Sequence, residues 1–367
     1  MSSQSTEQSQ VKWVMLPRPK RLKGTFASIV LQNIQGHDDW HTLKAPAFYG
    51  PKNEWKGVSE ESPQTSDELR IISLNSQEIE CELEDCSVLT EFGPGDGTKT
   101  MEILKLVKNI KLYRMVDEDE SAMWKLAARI TKLYPRLYIE CWQGPFESAP
   151  SYATNNRLHL GHALSLGSTL FNNSPEVNNK LMRDLAPITN KIIIGQDGNT
   201  DEHSVRSSYT TPAFHNFIEK GRDRLDEMLN SIDRNLGRQV LKNEGWQSNV
   251  RIVHEPAFHV VWQLVATKAM DFIFHEDSPG EQKRVRIKKN TELNIFKAYK
   301  YNQQSIDVMA AQAGYDRSAT YVASKTGSCL HILVPLRDDM VTRVTTVEDI
   351  DVQDPRRLKI ETLHLSF

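Results

Sequence analysis

Three glycines at alternating positions form the stretch of the chain that most strongly suggests ligand chemistry. Gly93, Gly95 and Gly97 follow a short apolar run within Val88–Thr100, VLTEFGPGDGTKT, and Glu91 precedes them. Because glycine lacks a Cβ and tolerates positive φ, the backbone here can turn tightly and approach a ligand closely. Glycine-rich turns of this kind hold phosphates, dinucleotides or adenosyl groups.

Two of these alternatives require residues that the chain lacks. A phosphate-binding P-loop has a lysine directly after its last glycine, whereas Thr98 separates Gly97 from Lys99. A dinucleotide turn, G-x-G-x-x-G, needs a third glycine at the position of Thr98. The spacing acid-x-Gly-x-Gly-x-Gly, which starts at Glu91, is instead the pattern of class I S-adenosylmethionine-dependent methyltransferases. We therefore expect the turn, including Thr98, to bind S-adenosylmethionine (SAM), with Glu91 receiving the methionine ammonium group.

A second acidic residue lies where a cofactor ribose would be bound. Asp117 ends the next apolar run, Leu112–Asp117, 22 residues after Gly95. An acidic side chain at the end of the second strand can hydrogen-bond the ribose hydroxyls. The order of the two features along the chain supports the adenosyl interpretation.

Short apolar runs alternate with amphipathic segments over residues 71–200, as in the run at Leu112–Asp117 and the helical pattern at Glu120–Tyr134. Such alternation predicts a parallel, doubly wound α/β fold, here a Rossmann-like class I methyltransferase sheet. The pattern then changes to a long helical stretch and antiparallel-like strands, which predicts a second, substrate-binding lobe.

These changes in pattern give the predicted domain organisation. The divisions are a disordered tail at 1–20, the N-terminal part of the substrate lobe at 21–70, the SAM-binding Rossmann-like domain at 71–200, the substrate-binding lobe at 201–285, a return to the Rossmann-like sheet at 286–336 and a C-terminal extension at 337–367.

Bulk composition favours a cytoplasmic protein with a small-molecule partner. The net charge of −3 gives no electrostatic reason to expect nucleic acid. No apolar run approaches the roughly 18–20 residues that cross a membrane. Four scattered cysteines without a CxxC pair suit a reducing compartment. Histidine pairs such as His37 and His41 lack a third ligand, so no metal is expected, and the sequence does not indicate an oligomeric state.

Several segments resemble one methyltransferase family in the same order along the chain. They are APAFYG at 45–50, LSLGSTLFNNSP at 164–175, IIIGQDGNTD at 192–201, SYTTPAF at 208–214 and FKAYKYNQQSIDVMAAQAGY at 296–315. The chain resembles the ergothioneine-pathway histidine Nα-methyltransferases, a family that includes the fungal dimethylallyltryptophan N-methyltransferases of ergot alkaloid pathways.

The resemblance implies roles for individual residues. Gly93 and Gly95 would line the cofactor, Asp117 would bind its ribose and Phe146 would lie at the adenine edge, with Gly167 also at the cofactor. Asn172, in the same wall as Gly167, would hold the amine or carboxylate of the acceptor. Tyr49 and Tyr209 would frame the backbone end of an amino acid, although each is equally consistent with a packing residue.

The departures from the family bear on the acceptor. The histidine enzymes bind the imidazole ring through hydrogen bonds with a glutamate and a serine, whereas this chain has Phe296 and Ala298 at those positions. They also carry a YYP segment where this chain has Glu61-Ser62-Pro63. Losing the hydrogen-bonding pair would leave imidazole nitrogens unpaired at a cost of about 1–3 kcal/mol each. We therefore expect a larger, more apolar amine than histidine, such as an indole-containing amino acid or an alkaloid precursor.

The expected reaction is an in-line displacement that depends mostly on positioning a neutral nitrogen. Asn172, Tyr49 and Tyr209 are the candidate orienting groups, and Asp197 either contacts the substrate or caps the next helix. The sequence thus predicts a SAM-dependent N-methyltransferase of secondary metabolism that acts on an amino-acid-like or indole amine. The alternatives are a ring nitrogen or oxygen of another natural product as acceptor, or an inactive cofactor-binding scaffold.

Overall fold

The computed structural model of this chain describes residues 10–17, 26–37, 40–49, 55–230, 240–275, 282–323 and 325–336. Its strands are β1 (Val11–Met15), β2 (Val88–Phe92), β3 (Leu112–Asp117), β4 (Tyr138–Gln143), β5 (Gly161–Ser165), β6 (Thr189–Asp197), β7 (Trp246–Val253), β8 (His259–Ala266), β9 (Met270–His275), β10 (Gln282–Ile287), β11 (Glu292–Tyr299), β12 (Tyr315–Val322) and β13 (Ser328–Pro335).

The helices, in the same order along the chain, are α1 (Phe26–Ile34), α2 (Trp40–Phe48), α3 (Trp55–Glu61), α4 (Pro63–Leu74), α5 (Ser76–Glu82), α6 (Thr98–Leu106), α7 (Glu120–Leu133), α8 (Ser148–Asn155), α9 (Pro175–Leu185), α10 (Glu202–Ser208), α11 (Pro212–Asn230) and α12 (Gln303–Gln312). No helix among the described residues is both long enough and apolar enough to cross a membrane.

An eight-stranded sheet in the order β1-β4-β3-β2-β5-β6-β13-β12 organises the chain. The first six strands in this order pair in parallel, whereas β13 is antiparallel to β6 and β12 is antiparallel to β13. The order reverses direction between β2 and β5, and α/β sheets bind ligands at such a switch point, beyond the carboxyl ends of the strands. The predicted doubly wound α/β fold is confirmed.

A second apolar core lies between the N-terminal helices, α11 and the smaller sheet β11-β8-β7. Helices α1, α2 and α3 all contact α11, and α2 also contacts β11. Short helices and strands from distant parts of the chain therefore share one hydrophobic cluster, separate from the two clusters that cover the faces of the large sheet.

The N-terminal segment differs from the predicted tail at 1–20. Residues Val11–Met15 pair in parallel with β4 and extend the large sheet by one strand. Gln10 donates its side-chain amide to the carbonyl oxygens of Tyr134 and Leu137, and Trp13 packs on Trp124 with ring centroids 4.5 Å apart. These contacts to residues more than a hundred positions away hold a segment whose own polarity predicted disorder. The rest of that tail, and the extension at 337–367, lie outside the described residues.

The predicted return to the Rossmann-like sheet begins too early at residue 286. Strand β11 pairs antiparallel with β8 in the smaller sheet, and only β12 and β13 join the large sheet. An alternating apolar pattern identifies a strand but not its partner, because either sheet offers an apolar face. Helices α4 and α5 are divided at Asn75, whose side chain and main-chain N–H both donate to Ile71 O.

Candidate active site

The three glycines form the turn from β2 to α6, and all have positive φ: 66° at Gly93, 59° at Gly95 and 73° at Gly97. A Cβ at Gly93 would lie 2.4 Å from Thr169 Cγ2, and one at Gly97 would lie 2.2 Å from Leu126 Cδ1. A Cβ at Gly95 would meet nothing within 4 Å. The outer glycines are therefore required by packing, whereas Gly95 presents backbone to open space that a ligand can enter.

Glu91 lies behind this turn, at the interface of the sheet with α6, and is 2% exposed. Its carboxylate accepts a hydrogen bond of 2.6 Å from the hydroxyl of Tyr113. Burial raises the pKa of Glu91 to about 7, against hydrogen bonds from Tyr113 and Thr100 and the charge of Lys99. This position differs from the expected contact with a methionine ammonium group, because the carboxylate is engaged inside the protein.

Asp117 ends β3 next to the turn, and its carboxylate accepts a 2.9 Å hydrogen bond from the main-chain N–H of Asp119. Burial raises the pKa of Asp117 to about 6, although that hydrogen bond opposes the shift. Phe146 packs edge-on against Phe92 with ring centroids 6.1 Å apart. Phe146 Cζ would also lie 3.2 Å from a Cβ at Gly93, so the phenyl ring borders the glycine turn.

Thr98, the first residue of α6, is exposed and donates its main-chain N–H to Asp96 Oδ1 at 2.9 Å. The first N–H groups of a helix attract negatively charged or polar ligand groups. One of these donors is thus already satisfied by Asp96, while the hydroxyl of Thr98 lies on the surface of the turn.

An ion pair between Glu68 and Lys99, which the sequence did not reveal, connects the glycine turn to the loop after β5. Glu68 of α4 is fully buried, and its Oε2 lies 2.6 Å from Lys99 Nζ. Both carboxylate oxygens of Glu68 accept the main-chain N–H of Gly167, at 2.9 and 3.0 Å. A Cβ at Gly167, whose φ is 70°, would lie 2.8 Å from Lys99 Nζ. Gly167 and the glycine turn therefore face each other across this lysine.

The loop after β5 also contacts the end of β6. The hydroxyl of Ser168 accepts the main-chain N–H of Asp197 at 2.9 Å and the side-chain amide of Gln64 at 2.8 Å. Ser168 has a φ of 58°, in the left-handed region that is uncommon for residues other than glycine. Two successive left-handed residues turn the chain sharply at the switch point of the sheet.

Asp197 forms an ion pair with Lys300, the residue that follows β11. Lys300 is 9% exposed, and its Nζ lies 5.2 Å from the ring centroid of Tyr209. Burial alone lowers the pKa of Lys300, but Asp197 and Tyr209 together raise it above its ordinary value. The helix after Asp197 is capped by Asp201, which accepts Ser204 N–H at 2.8 Å. The alternative of Asp197 as a helix cap is therefore wrong.

The two predicted tyrosines lie close enough to interact electrostatically. Burial, and then the neighbouring Tyr209, raise the pKa of Tyr49. Tyr209 itself has a raised pKa because of burial, which the charge of Lys300 opposes. Tyr49 also packs on Trp55 and Phe217 with centroid distances of 5.3 and 5.6 Å. The structure thus brings both tyrosines to one edge of the aromatic core.

Phe296 and Ala298 point to the same face of β11, because they are two residues apart on a strand. Phe296 is 2% exposed and packs edge-on against Phe48, Phe214 and Phe217 at centroid distances of 5.3, 5.7 and 5.7 Å. Ala298 is buried in the same cluster. This face of β11 is entirely apolar at the two positions where the resemblance leads one to expect a carboxylate and a hydroxyl.

Asn172 links the loop after β5 to the end of β11. Its side-chain Oδ1 accepts the main-chain N–H of Tyr299 at 2.8 Å, and its main-chain oxygen accepts Lys44 Nζ at 3.1 Å. The expected acceptor for an amine is therefore already hydrogen-bonded, and a ligand could share only the second lone pair of Oδ1.

The predicted residues fall into two neighbouring groups. Those around the glycine turn are Glu91, Gly93, Gly95, Gly97, Thr98, Asp117, Phe146 and Gly167; those at the edge of the aromatic core are Tyr49, Asn172, Asp197, Tyr209, Phe296 and Ala298. The hydrogen bond from Asp197 N–H to Ser168, next to Gly167, connects the two groups. Sequence reasoning missed Glu68, Lys44 and Lys300, since each acquires its role from a partner far along the chain.

The geometry suits a sulfonium cofactor and a separate acceptor. Open space at Gly95 and a carboxylate at the end of β3 match an adenosyl ligand at the switch point. The second group offers hydroxyl, amide and charged side chains beside an aromatic core. No cluster of histidine, cysteine or acidic residues suited to a metal ion occurs among the described residues.

Solved structures similar to the chain include methyltransferases of several pathways. The glycopeptide N-methyltransferase MtfA complexed with sinefungin is 10% identical at a TM-score of 0.35, over 72% of this chain and 93% of that chain. Magnesium protoporphyrin IX methyltransferase (ChlM) from Synechocystis PCC 6803, with bound S-adenosylhomocysteine (SAH), is 9% identical at 0.40, over 77% and 93%. The O-methyltransferase NcsB1 from neocarzinostatin biosynthesis is 12% identical at 0.37, over 77% and 61%. No curated protein sequence matches the chain.

A family model matches residues 59–335, and its description is "Histidine-specific methyltransferase, SAM-dependent". The matched region contains the glycine turn, the loop after β5, Asp197 and β11. The match confirms both the predicted family resemblance and SAM as the cofactor. The chain belongs to the histidine-specific, SAM-dependent methyltransferase family.

Proposed function

We propose that this protein is an N-methyltransferase of secondary metabolism that acts on a small amino-acid-like or indole amine, such as an alkaloid precursor, and not on histidine. The observation that carries the proposal is the apolar face of β11 at Phe296 and Ala298. An imidazole placed there would find a phenyl ring and a methyl group and would lose about 1–3 kcal/mol for each unpaired nitrogen. An indole has one ring nitrogen to pair instead of two and buries a larger apolar surface.

Most of the cofactor residues keep the roles proposed for them, and the roles of Gly93, Gly97 and Glu91 are revised. Gly95, Thr98, Asp117, Phe146 and Gly167 would border SAM, and Asp117 would hydrogen-bond the ribose. Gly93 and Gly97 would shape the turn rather than touch the ligand. Glu91 would support the turn from behind through its hydrogen bond with Tyr113.

Bound SAM supplies an electrophilic methyl group, and the chain must present a neutral nitrogen in line with it. Asn172, Tyr209 and Tyr49 would hold the amine or its neighbouring carboxylate. Lys300 lies beside Tyr209 and would fix the orientation of its hydroxyl toward the acceptor. The partner is thus a small molecule, and we place the reaction in the cytoplasm.

The test is a mass-spectrometric assay with methyl-deuterated SAM and a mixture of histidine, tryptophan, dimethylallyltryptophan, tryptamine and a fungal metabolite extract. A labelled indole amine would support the proposal, and the isotope count would give the number of methyl groups transferred. The variant Asn172→Ala should give less of the same product.

Three other results would refute the proposal, each in a different way. Labelled histidine would show that Phe296 and Ala298 do not exclude imidazole. A label on oxygen or on a ring nitrogen would indicate a different acceptor class. No label in any component, although SAH binds, would indicate a cofactor-binding scaffold without turnover.

A further inference from the structure

Lys44 of α2 lies inside the second group of site residues, although no sequence motif drew attention to it. Its Nζ donates to the main-chain oxygen of Asn172 at 3.1 Å and lies 5.1 Å from the ring centroid of Phe296. It therefore touches both a residue proposed to orient the acceptor and the residue proposed to exclude imidazole.

The charge of Lys44 has no neutralising carboxylate among the described residues. The charged group that acts on it there is Lys300, which is itself paired with Asp197. Burial and then the like charge of Lys300 lower the pKa of Lys44 to about 7. A neutral carbonyl oxygen and an aromatic face stabilise an ammonium group less than a carboxylate does.

In the histidine enzymes that the chain resembles, the position of Phe296 carries a negative charge. There, a glutamate would stand at position 296; here a phenylalanine stands with a lysine ammonium over its ring. The change removes one negative charge at this end of the site and leaves the positive charge of Lys44 there. Burying a cation is costly unless it is paired, and a ligand that carries an anionic group would supply a counter-ion to this partly buried lysine, for which the described residues provide none.

We propose that Lys44 binds a carboxylate of the methyl acceptor and so selects carboxylate-bearing amines over their decarboxylated counterparts. This inference rests on the proposed N-methyltransferase function and adds the residue that binds the negatively charged group of the acceptor. The carboxylate would accept one of the remaining N–H groups of Lys44 beside the Asn172 loop, with the apolar part of the acceptor against the aromatic core.

The experiment measures binding rather than turnover, by calorimetry on the SAH-loaded full-length protein. The probes are two matched pairs, L-tryptophan with tryptamine and L-histidine with histamine. The wild-type protein should bind the carboxylate-bearing member of the tryptophan pair at least about tenfold more tightly, the ratio for 1.4 kcal/mol. Lys44→Met should abolish that preference, whereas Lys44→Arg should keep most of it because the charge remains.

Lys56→Met is the matched control, since Lys56 lies on the neighbouring helix α3 with a side chain that is 70% exposed. It should leave the preference unchanged. Equal affinity for tryptophan and tryptamine in the wild type, no binding of either, or a preference that survives in Lys44→Met would overturn the inference.

The two proposals can fail separately. If tryptophan binds in a Lys44-dependent way but receives no methyl group, the charge recognition stands and the proposed reaction is wrong. If an indole amine is methylated with a carboxylate preference that Lys44→Met does not change, the reaction stands and Lys44 has another role.

Discussion

Glu68 and Lys99 form an ion pair with an Oε2–Nζ distance of 2.6 Å that joins α4 to the helix after the glycine turn. The carboxylate of Glu68 also accepts the main-chain N–H of Gly167. One buried carboxylate thus fixes the two loops between which we place SAM, one from each side of the switch point of the sheet. The geometry of the cofactor site depends on a residue that precedes the glycine motif by more than twenty positions.

Glu68→Ala should therefore destabilise the protein and weaken SAM binding. Removing one partner of a buried ion pair costs about 3–5 kcal/mol, and Gly167 N–H loses its acceptor as well. Chemical denaturation and SAM calorimetry would measure the two effects. Glu60→Ala breaks only the exposed Lys56–Glu60 pair and should change stability by less than about 1 kcal/mol. Equal effects of the two substitutions would contradict the role of Glu68.

Alanine substitutions should separate the packing glycines from the ligand-facing one. Gly93→Ala combines positive φ with a 2.4 Å approach to Thr169, so it should lower both stability and SAM affinity. Gly95→Ala meets no protein atom and should cost about 1–2 kcal/mol of backbone strain but reduce SAM affinity strongly. Gly314→Ala has a similar φ of 78° and open surroundings, so it should show the strain alone. If Gly95→Ala binds SAM as tightly as Gly314→Ala does, the turn does not approach the cofactor at Gly95.

SAM affinity should fall as the pH is lowered through about 6, because the raised pKa of Asp117 is about 6 and only the ionised carboxylate accepts two ribose hydroxyls fully. The same raised pKa means that the folded state binds more protons than the unfolded state between about 4 and 6. The contribution of Asp117 to the free energy of unfolding is therefore largest below pH 4 and declines as pH rises through 6.

Calorimetric titration of SAM from pH 5 to 8 would test this dependence. Asp117→Asn should bind SAM more weakly and lose the part of the dependence centred near pH 6. A part centred near pH 7 would remain, because Glu91 has a pKa of about 7. A pH profile that is unchanged by Asp117→Asn would refute the ribose assignment.

Asp197 and Lys300 should show strong coupling in a double-mutant cycle. Lys300→Met leaves a carboxylate without its partner, and Asp197→Asn leaves a 9% exposed lysine unpaired, so each should cost about 3–5 kcal/mol. The double variant should cost less than the sum by about 1–3 kcal/mol. Additive losses in urea denaturation would mean that the pair contributes no mutual stabilisation.

Asn172→Ala should reduce acceptor affinity and stability together, because Tyr299 N–H loses its acceptor at about 1–3 kcal/mol. The neighbouring Asn173→Ala is the matched control, since the main-chain oxygen of Asn173, which accepts the Tyr301 hydroxyl at 2.6 Å, survives the substitution. Affinity for an identified amine, measured with SAH present, should fall only in Asn172→Ala. Should both variants bind the amine like the wild type, Asn172 serves the fold alone.

Local spacing was sufficient to predict the glycine turn and the class of cofactor. The glycines, Glu91 and Asp117 belong to one strand–turn–helix–strand unit, in which neighbours in the chain are neighbours in space. Even there, the direction of the Glu91 side chain could not be predicted. The register of β2 against β3 brings the hydroxyl of Tyr113 to the Glu91 carboxylate, to which it donates a hydrogen bond.

The sequence by itself determined the α/β alternation, the class of turn and the residues at the ends of β2 and β3, since these follow from local periodicity and backbone sterics. Only the tertiary structure decided that β11 joins the smaller sheet, that Val11–Met15 forms an edge strand and that Lys44 stands over Phe296. Pairing of strands and of charges depends on free energies between segments far apart in the chain, such as Asp197 and Lys300. A local sequence pattern does not determine which of several compatible strands or charged groups will pair with a given segment or side chain.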